Sequence, residues 1–498
     1  MLLAAKVHWT FDLSLATYYR PKGLKYNHHK NRKNDDTSIR KIHFLSLTFR
    51  DAGFSPQILA SQQGRFSETG DILSGKSFFD RYRVYMYICE IGYEIYLIPN
   101  NTMKYTYAAS GKPNTRIDVA DILRGIAIAG IILIHFIEQL NFYVFPEPTS
   151  ELWATVNKAV WDSTFFLLAG KMYAIFAMLF GLSFYIQHDN QAQKGIDFRP
   201  RFLWRMILLM LFGLFDLLFY NGDILFIYAV CGVLIIPLIR ASNKVLIALI
   251  VLLLMQPVEL VYLIMGLINP ETQPLDLGSG NFYGAIVASQ SEGNIIDVAI
   301  AGVKNGLPAN FVWAIENGRM TQTVLFFLFG IMLGRTRLFY NEGNNLKIWK
   351  KILYGSVIAF AVLLPLYIFV PKAVEIRCVS NSLNVALNMW KNISMMLFIV
   401  SGVTLLYYNT SAKNWLIKIA PYGKMSLTNY LGQSIIGAAL FYNWGLGLFR
   451  YCGHTASFLL GVACIIVQFI FCTWWMKHHK RGPFEQLWCW ATWLGKKK

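Results

Sequence analysis

The sequence has no Cys-x-x-Cys pair and no cluster of histidines and cysteines at ligand spacing, which argues against a zinc site or a disulfide framework. Most of its 7 cysteines, such as Cys231, Cys464 and Cys472, lie in apolar runs, where a thiol behaves as a small hydrophobe. Charge is scarce as well. Only 15% of the 498 residues are Asp, Glu, Lys or Arg, against about 25% in an ordinary soluble domain. Acidic residues are the scarcer kind, 28 against 46 Lys and Arg, for a net charge of +18. A basic balance can signal nucleic acid, but here the basic residues sit mainly in short loops between apolar runs, as cytoplasmic loops of membrane proteins do. No nucleic-acid partner is expected. Apolar and aromatic side chains are what the chain holds in abundance: 55% hydrophobic residues, 14 Trp and 36 Phe, with a mean hydropathy of +0.40. The composition is that of an all-α, polytopic integral membrane bundle with lipid around it.

Residues 1–102 differ from everything after them. They are polar, with a basic run at Lys22–Lys33, and the opening MLLAAKVHWTFDLSLA is interrupted by Lys6 and Asp12, which makes a poor signal-peptide core. The segment reads as a solvated N-terminal extension, poorly ordered or absent from the native product if translation begins at Met103. Within it, Arg83–Ile98 carries Glu90 and Glu94 and fits a strand pair or a short surface helix better than a span.

Residues 103–498 read as the membrane domain. Ten apolar segments of about 17–23 residues match the length needed to cross hydrocarbon: Ile122–Leu140, Thr164–Ile186, Leu203–Tyr220, Ile224–Ile239, Val245–Ile268, Thr321–Phe339, Ile352–Val370, Ile393–Tyr408, Met425–Tyr442 and Ser457–Met476. Basic residues fall in alternate connections, from Lys112 and Arg116 before the first segment to Lys477, Lys480 and Arg481 after the last. That alternation puts both termini in the cytoplasm. The longest outer loop, 269–320, contains a patterned run near Asn281–Val303 that suits a membrane surface, and it reads either as a lid or as a plain connection. Gly330-x-x-x-Gly334 is a small-xxx-small pattern for close helix packing. Cys378 and Cys452 both fall in outer loops, where the compartment permits a disulfide.

Ionisable groups inside such segments are expensive and must face one another or a watery cavity. His135 ends the first segment on the outer side, Asp162 begins the second, Lys171 lies within it, Asp216 is late in the third, and Asn221 and Asp223 occupy the outer turn after it. Asn429 and Gln433 lie inside the ninth. Together they imply an internal polar site open to the outer half of the membrane. Lys171 and Asp216 read either as a register-fixing buried pair or as substrate-binding groups, which in a transporter would mark a solute or proton path. Asn429 and Gln433 read as substrate contacts or interhelical glue. Arg124, near the cytoplasmic end, suits headgroups or the phosphates of a cytoplasmic donor. No metal site is expected.

These same residues carry a resemblance. RIDVADILRGIAIAGIILIHF, from Arg116, resembles the opening of the YeiB family of bacterial inner-membrane proteins (domain of unknown function 418). Further resemblances follow in order at KMYAIFAMLFGLSF (Lys171–Phe184), FYNGDILFIYAVCGVL (Phe219–Leu234), GKMSLTNYLGQSII (Gly423–Ile436) and RGPFEQLWCWATW (Arg481–Trp493). At the end of the first segment this chain has His135 where family members commonly carry Asn. The resemblance implies a multi-pass inner-membrane fold, distantly related to the transmembrane acyltransferases that include heparan-sulfate glucosamine N-acetyltransferase. It implies acyl transfer from a cytoplasmic CoA-type donor such as acetyl-CoA, with no tightly bound cofactor, to a small-molecule, sugar or lipid-linked envelope acceptor. On that reading His135 is the base, Asp162 or Asp223 orients it, Asn221, Asn429 and Gln433 position the acceptor, and Arg124 holds the donor. A transporter using Lys171 and Asp216 is the alternative, and a homo-oligomer is compatible with either.

Overall fold

The structure, a computed structural model, describes the backbone of residues 82–89 and 92–99 and all of 114–140 and 142–494. The chain divides into two compact units, Met1–Met103 and Lys104–Lys498. In the first, β1 (Tyr82–Cys89) and β2 (Gly92–Pro99) pair antiparallel, Tyr82 opposite Pro99 and Cys89 opposite Gly92. Of the two readings of Arg83–Ile98 the strand pair is thus the one adopted, as its aromatic and β-branched content favours. The basic run Lys22–Lys33 and the start at Met103 lie outside the described residues.

Among residues 114–494 every regular element is helical. The sequential helices are α1 (Asp118–Ile137), α2 (Glu151–Leu168), α3 (Lys171–Ala192), α4 (Arg199–Asp216), α5 (Leu225–Leu234), α6 (Asn243–Leu254) and α7 (Pro257–Ile268). They continue as α8 (Ser279–Ser291), α9 (Ile295–Ala301), α10 (Leu307–Glu316), α11 (Arg319–Thr336), α12 (Asn345–Phe369), α13 (Arg377–Asn409), α14 (Ser426–Phe441), α15 (His454–His478) and α16 (Pro483–Thr492). Five stretches are long and apolar enough to cross a bilayer: α1, α2 with α3, α12 with the turn after it, α13 and α15. The bent pair α6–α7 makes a sixth.

Two of these stretches are not single straight helices. Gln256 adopts a left-handed backbone (φ 50°), and α6 and α7 meet at 42° across it. The run that opens at Thr164 does not make one helix: α2 ends at Leu168, and Gly170 (φ 78°) turns the chain before α3. Only glycine accepts that turn readily, and a Cβ there would overlap the Asn392 side chain.

Burial separates an inner layer from an outer one. The apolar window of α1 is 67% buried, whereas that of α12 is 6% buried. Tyr354, Ile358, Val362 and Phe369 of α12 are exposed and present an apolar face suited to lipid. α3 and α11 cross closely at Gly181, Gly330 and Gly334, each set against backbone or a ring of its neighbour. That gives the small-xxx-small pattern its packing role.

The 269–320 stretch folds into α8, α9 and α10 with a wide turn, Gly302–Gly306, between the last two. That turn packs on the carbonyl of Leu217 and the side chain of Asn221. It is a clasp on the α4–α5 connection. Cys378 and Cys452 are free thiols, and Cys378 donates to the Tyr262 carbonyl oxygen (3.3 Å). The disulfide the compartment would permit is not formed.

Candidate functional site

A buried polar cluster forms where α1, α14 and the α4–α5 connection meet. Helical spacing puts Tyr430, Gln433, Ser434 and Gly437 on one face of α14. His135, in the last turn of α1, bonds Gln433 through Nδ1 at 2.7 Å. Ser434 donates to Asp216 Oδ2 at 3.1 Å. Tyr220 packs on the His135 ring at 4.7 Å and Tyr430 meets it edge-on at 6.0 Å. Asp216, Asp223, Gln433 and Ser434 have no exposed surface.

The amide of Gln433 decides what His135 can do. As oriented, its Nε2 donates to Nδ1, so the imidazole proton sits on Nε2, and Gln433 Oε1 is buried without a partner. Turning the amide over gives Oε1 the Nδ1 proton and frees Nε2 as an acceptor. Only the second arrangement is a base.

The sequence-read residues divide. Asp223 lies in the cluster, but its carboxylate accepts from the Leu225 and Phe226 amides (3.0 and 2.9 Å) and so caps α5. Gln433 is the residue that holds His135. Asn221 is buried beside the Gly302–Gly306 turn with Oδ1 unpartnered. Asn429 donates to the Tyr422 carbonyl oxygen and accepts from Cys472, tying α14 to α15. That is the glue role. Asp162 is exposed on α2 and paired with Lys158 at 2.5 Å, so the structure does not bring it to His135. Nor are Lys171 and Asp216 a pair: Lys171 donates to the Phe166 carbonyl oxygen at 2.7 Å and Asp216 accepts from Ser434.

Arg124 belongs to a second feature at the opposite end of α1. It binds Asp121 at 2.7 Å and donates to Ser183 at 2.8 Å, and it lines a cavity of about 230 Å³. Arg205, Lys424, Ser426 and Trp488 stand at the same cavity, with Phe176, Phe180, Tyr228 and Tyr430 completing its walls. Arg205 stacks on Trp488 at 4.0 Å. Glu485 accepts from the Leu427 and Thr428 amides (2.7 and 3.0 Å) and the Thr428 hydroxyl (2.6 Å), placing a carboxylate on the positive end of α14. Burial pushes the Glu485 carboxyl above its ordinary range, and these hydrogen bonds pull it partly back. Charge patterning puts Arg205 and Lys424 in basic connections and carries no sign of Tyr430 or Trp488. Both rings lie in stretches that carry the family resemblance, Tyr430 in GKMSLTNYLGQSII and Trp488 in RGPFEQLWCWATW.

Tyr430 joins the two features. Its ring lines the cavity, and its hydroxyl accepts from the Ile224 amide at 3.1 Å and reaches the carboxylate of Asp223.

Residues 333–495 match the family described as Protein of unknown function (DUF418), and residues 116–272 match the one described as Heparan-alpha-glucosaminide N-acetyltransferase, catalytic. The chain is YeiB-like. It is 26% identical to the uncharacterized protein YeiB of Escherichia coli over 388 residues, 74% of this chain and 94% of that one. It is 27% identical to the uncharacterized protein YxaH of Bacillus subtilis over 413 residues, 76% of this chain and 95% of that one. No solved structure matches it. In this YeiB-like chain the polar cluster takes His135, Asp216 and Asp223 from the first matched region and Gln433 and Ser434 from the second. Neither region holds the site alone.

Proposed function

We propose that this protein is a multi-pass inner-membrane acyltransferase that moves an acyl group from a CoA-type donor to an envelope acceptor. The observation that carries the reading is Tyr430, one side chain that is both wall of the Arg124 cavity and neighbour of His135. The match of residues 116–272 to an acetyltransferase catalytic family supports it. The cavity, about 230 Å³, is smaller than the roughly 300–1,000 Å³ of pockets that swallow a drug-sized ligand. It would take the thioester arm of acetyl-CoA and leave the nucleotide phosphates to Arg124, Arg205 and Lys424, whose charges suit phosphate.

In the transfer, His135 Nε2 takes the proton of an acceptor hydroxyl or amine. The acceptor oxygen or nitrogen then bonds the acyl carbon, the carbon–sulfur bond breaks, and the thiolate leaves toward the Arg124 end. Gln433 fixes the imidazole, and Asn221, with its unpartnered oxygen, is the acceptor-side contact. The acceptor is a small molecule, a sugar or a lipid-linked group, acetyl-CoA is consumed as substrate with no tightly bound cofactor, and a homo-oligomer in the lipid is compatible with the exposed α12 face. Ten crossings, with α4, α5, α11 and α14 as short inner ones, keep every basic connection and both termini in the cytoplasm.

A transporter is the second reading, favoured by the bend between α6 and α7, since broken helices line many transport sites. Purified protein in nanodiscs separates the two. Saturable binding of radiolabelled acetyl-CoA is expected, retained in His135→Ala while acetyl transfer to envelope extract is lost. Absence of acetyl-CoA binding removes the transferase reading.

A further inference from the structure

Two buried cations and one half-buried one lie near one another on the His135 side of the bundle: Lys171 at the start of α3, Lys391 within α13 and, half-buried, Arg319 at the start of α11. Lys171 is 2% exposed and Lys391 6%. The charges of Arg319 and Lys391 both act on the Lys171 ammonium. Among the described residues no carboxylate pairs with any of the three.

Their hydrogen-bonding capacity is also largely unspent. Lys171 uses one of three donors, on the Phe166 carbonyl oxygen. Arg319 gives one bond to Gln322 Oε1 at 3.2 Å and otherwise faces the rings of Tyr173 and Trp313 at 5.2 and 5.7 Å. Lys391 lies over the Tyr367 ring at 3.7 Å. Next to Lys391, Asn392 is 7% exposed and its Oδ1 has no partner.

The surrounding backbone is irregular as well. A Cβ on Gly318, the residue before Arg319, would stand 3.9 Å from both Gln256 Oε1 and Glu259 Oε1, so the break between α6 and α7 abuts the cations. The N-terminus of α7 adds its own positive end, which Glu259 in the first turn answers. With Glu259 counted, positive charge is still in excess.

Uncompensated cations at membrane depth are costly, and spare donors in fixed places are how proteins hold anions. We infer that Lys171, Arg319 and Lys391 form a binding site for an oxyanion group, a phosphate or carboxylate, presented on the His135 side of the membrane. The inference does not rest on acyl transfer and holds for an acceptor or a transported solute alike. Aromatic rings flank the cations, which suits a group that carries an apolar body on its anionic end.

The test uses the full chain in nanodiscs of neutral lipid. Inorganic phosphate, titrated against chloride at equal ionic strength, is expected to bind saturably and raise the unfolding midpoint. Lys391→Gln should weaken that binding by about tenfold or more, the scale of a lost charge-assisted hydrogen bond, and Lys391→Arg should keep it. Acetyl-CoA binding should be unchanged in both, which separates this site from the donor cavity. If phosphate alone is too small to bind, phosphatidylglycerol should co-purify with wild type and with Lys391→Arg but not with Lys391→Gln, which identifies a lipid headgroup as the source. Binding of neither anion to wild type overturns the inference, as does equal binding to wild type and a folded Lys391→Gln. Should Lys391→Gln not fold, the phosphate effect on wild type and Lys391→Arg decides: a missing shift in both overturns it.

Discussion

Replacing Gly330 by alanine puts a methyl group where the backbone of α3 already is. The new Cβ would overlap the Met178 carbonyl oxygen and stand 2.5 Å from the Leu182 nitrogen and 2.9 Å from the Gly181 carbonyl carbon. All three are backbone atoms, so no rotamer relieves the clash. Restoring ordinary contact at ~3.5 Å with the Met178 carbonyl oxygen requires the helices to part by about 1.5 Å. Overpacking of this kind costs ~1–3 kcal/mol, and alanine regains about 1 kcal/mol of helix propensity over glycine. A net loss of ~0–2 kcal/mol is expected from those two ranges, against a gain of about 1 kcal/mol where the added methyl meets nothing. Gly355 supplies the control: it lies in α12 with nothing within 4 Å of its added Cβ, so Gly355→Ala collects the propensity gain alone. The assay is the thermal unfolding midpoint of purified protein followed by tryptophan fluorescence. Equal midpoints for Gly330→Ala and Gly355→Ala would refute the close crossing of α3 and α11. Since α3 carries Lys171 and α11 carries Arg319, a real separation should also loosen phosphate binding.

Arg124→Gln removes bonds to Asp121 and Ser183, but Asp121 keeps Arg116 at 2.8 Å, so the fold should survive. Acetyl-CoA should bind about tenfold more weakly, from loss of a charge-assisted contact worth ~1.5–3 kcal/mol. An unchanged affinity would move the donor elsewhere. For Glu485, the carboxyl range is raised in the folded protein, so the folded chain binds the proton more readily than the unfolded one. The stabilisation is complete below the unfolded carboxyl value and fades as pH rises through the raised one. The unfolding midpoint of wild type, scanned from about pH 4 to pH 8, should therefore fall more steeply than that of Glu485→Gln. Parallel curves would discard the assignment.

How legible the molecule is from its sequence depends on the kind of contact. Helix α1 is readable because its apolar length and its end charges are local properties, and the crossing of α3 with α11 shows in Gly330 and Gly334. Charge alternation assigns side chains to an end of the bundle but says nothing about which helices touch. Hence Asp162 and His135 share an end without meeting, and Lys171 and Asp216 share one without pairing. The segment opened by Thr164 hides a break because Gly170 is one residue in an otherwise apolar run, and its left-handed turn is enforced by Asn392, far away in sequence. Glu485 is the hardest case. Its carboxylate caps α14 across the fold, a role that local periodicity cannot encode.

Tyr430 also constrains how any transfer between the two ends must proceed. The cavity stops at Tyr228 and Tyr430, and the His135 cluster begins behind the second ring. On the transferase reading the structure is the closed arrangement, with Tyr430 standing between the donor cavity and the His135 cluster. To open it, the Tyr430 hydroxyl must leave the Ile224 amide, and an unpaired buried donor costs ~1–3 kcal/mol. A state that much higher in energy is populated at roughly 1–10%. That is enough to sustain turnover yet rare enough to keep a bound thioester from water on the other side. The Ile224 amide sits beside Asp223 and the Gly302–Gly306 clasp, so an acceptor that settles against Asn221 touches the same connection that holds Tyr430 shut. On the transferase reading, acceptor binding is thus coupled to opening through the α4–α5 turn, and the donor meets the same gate from its own side, since Tyr430 and Leu225 line its cavity.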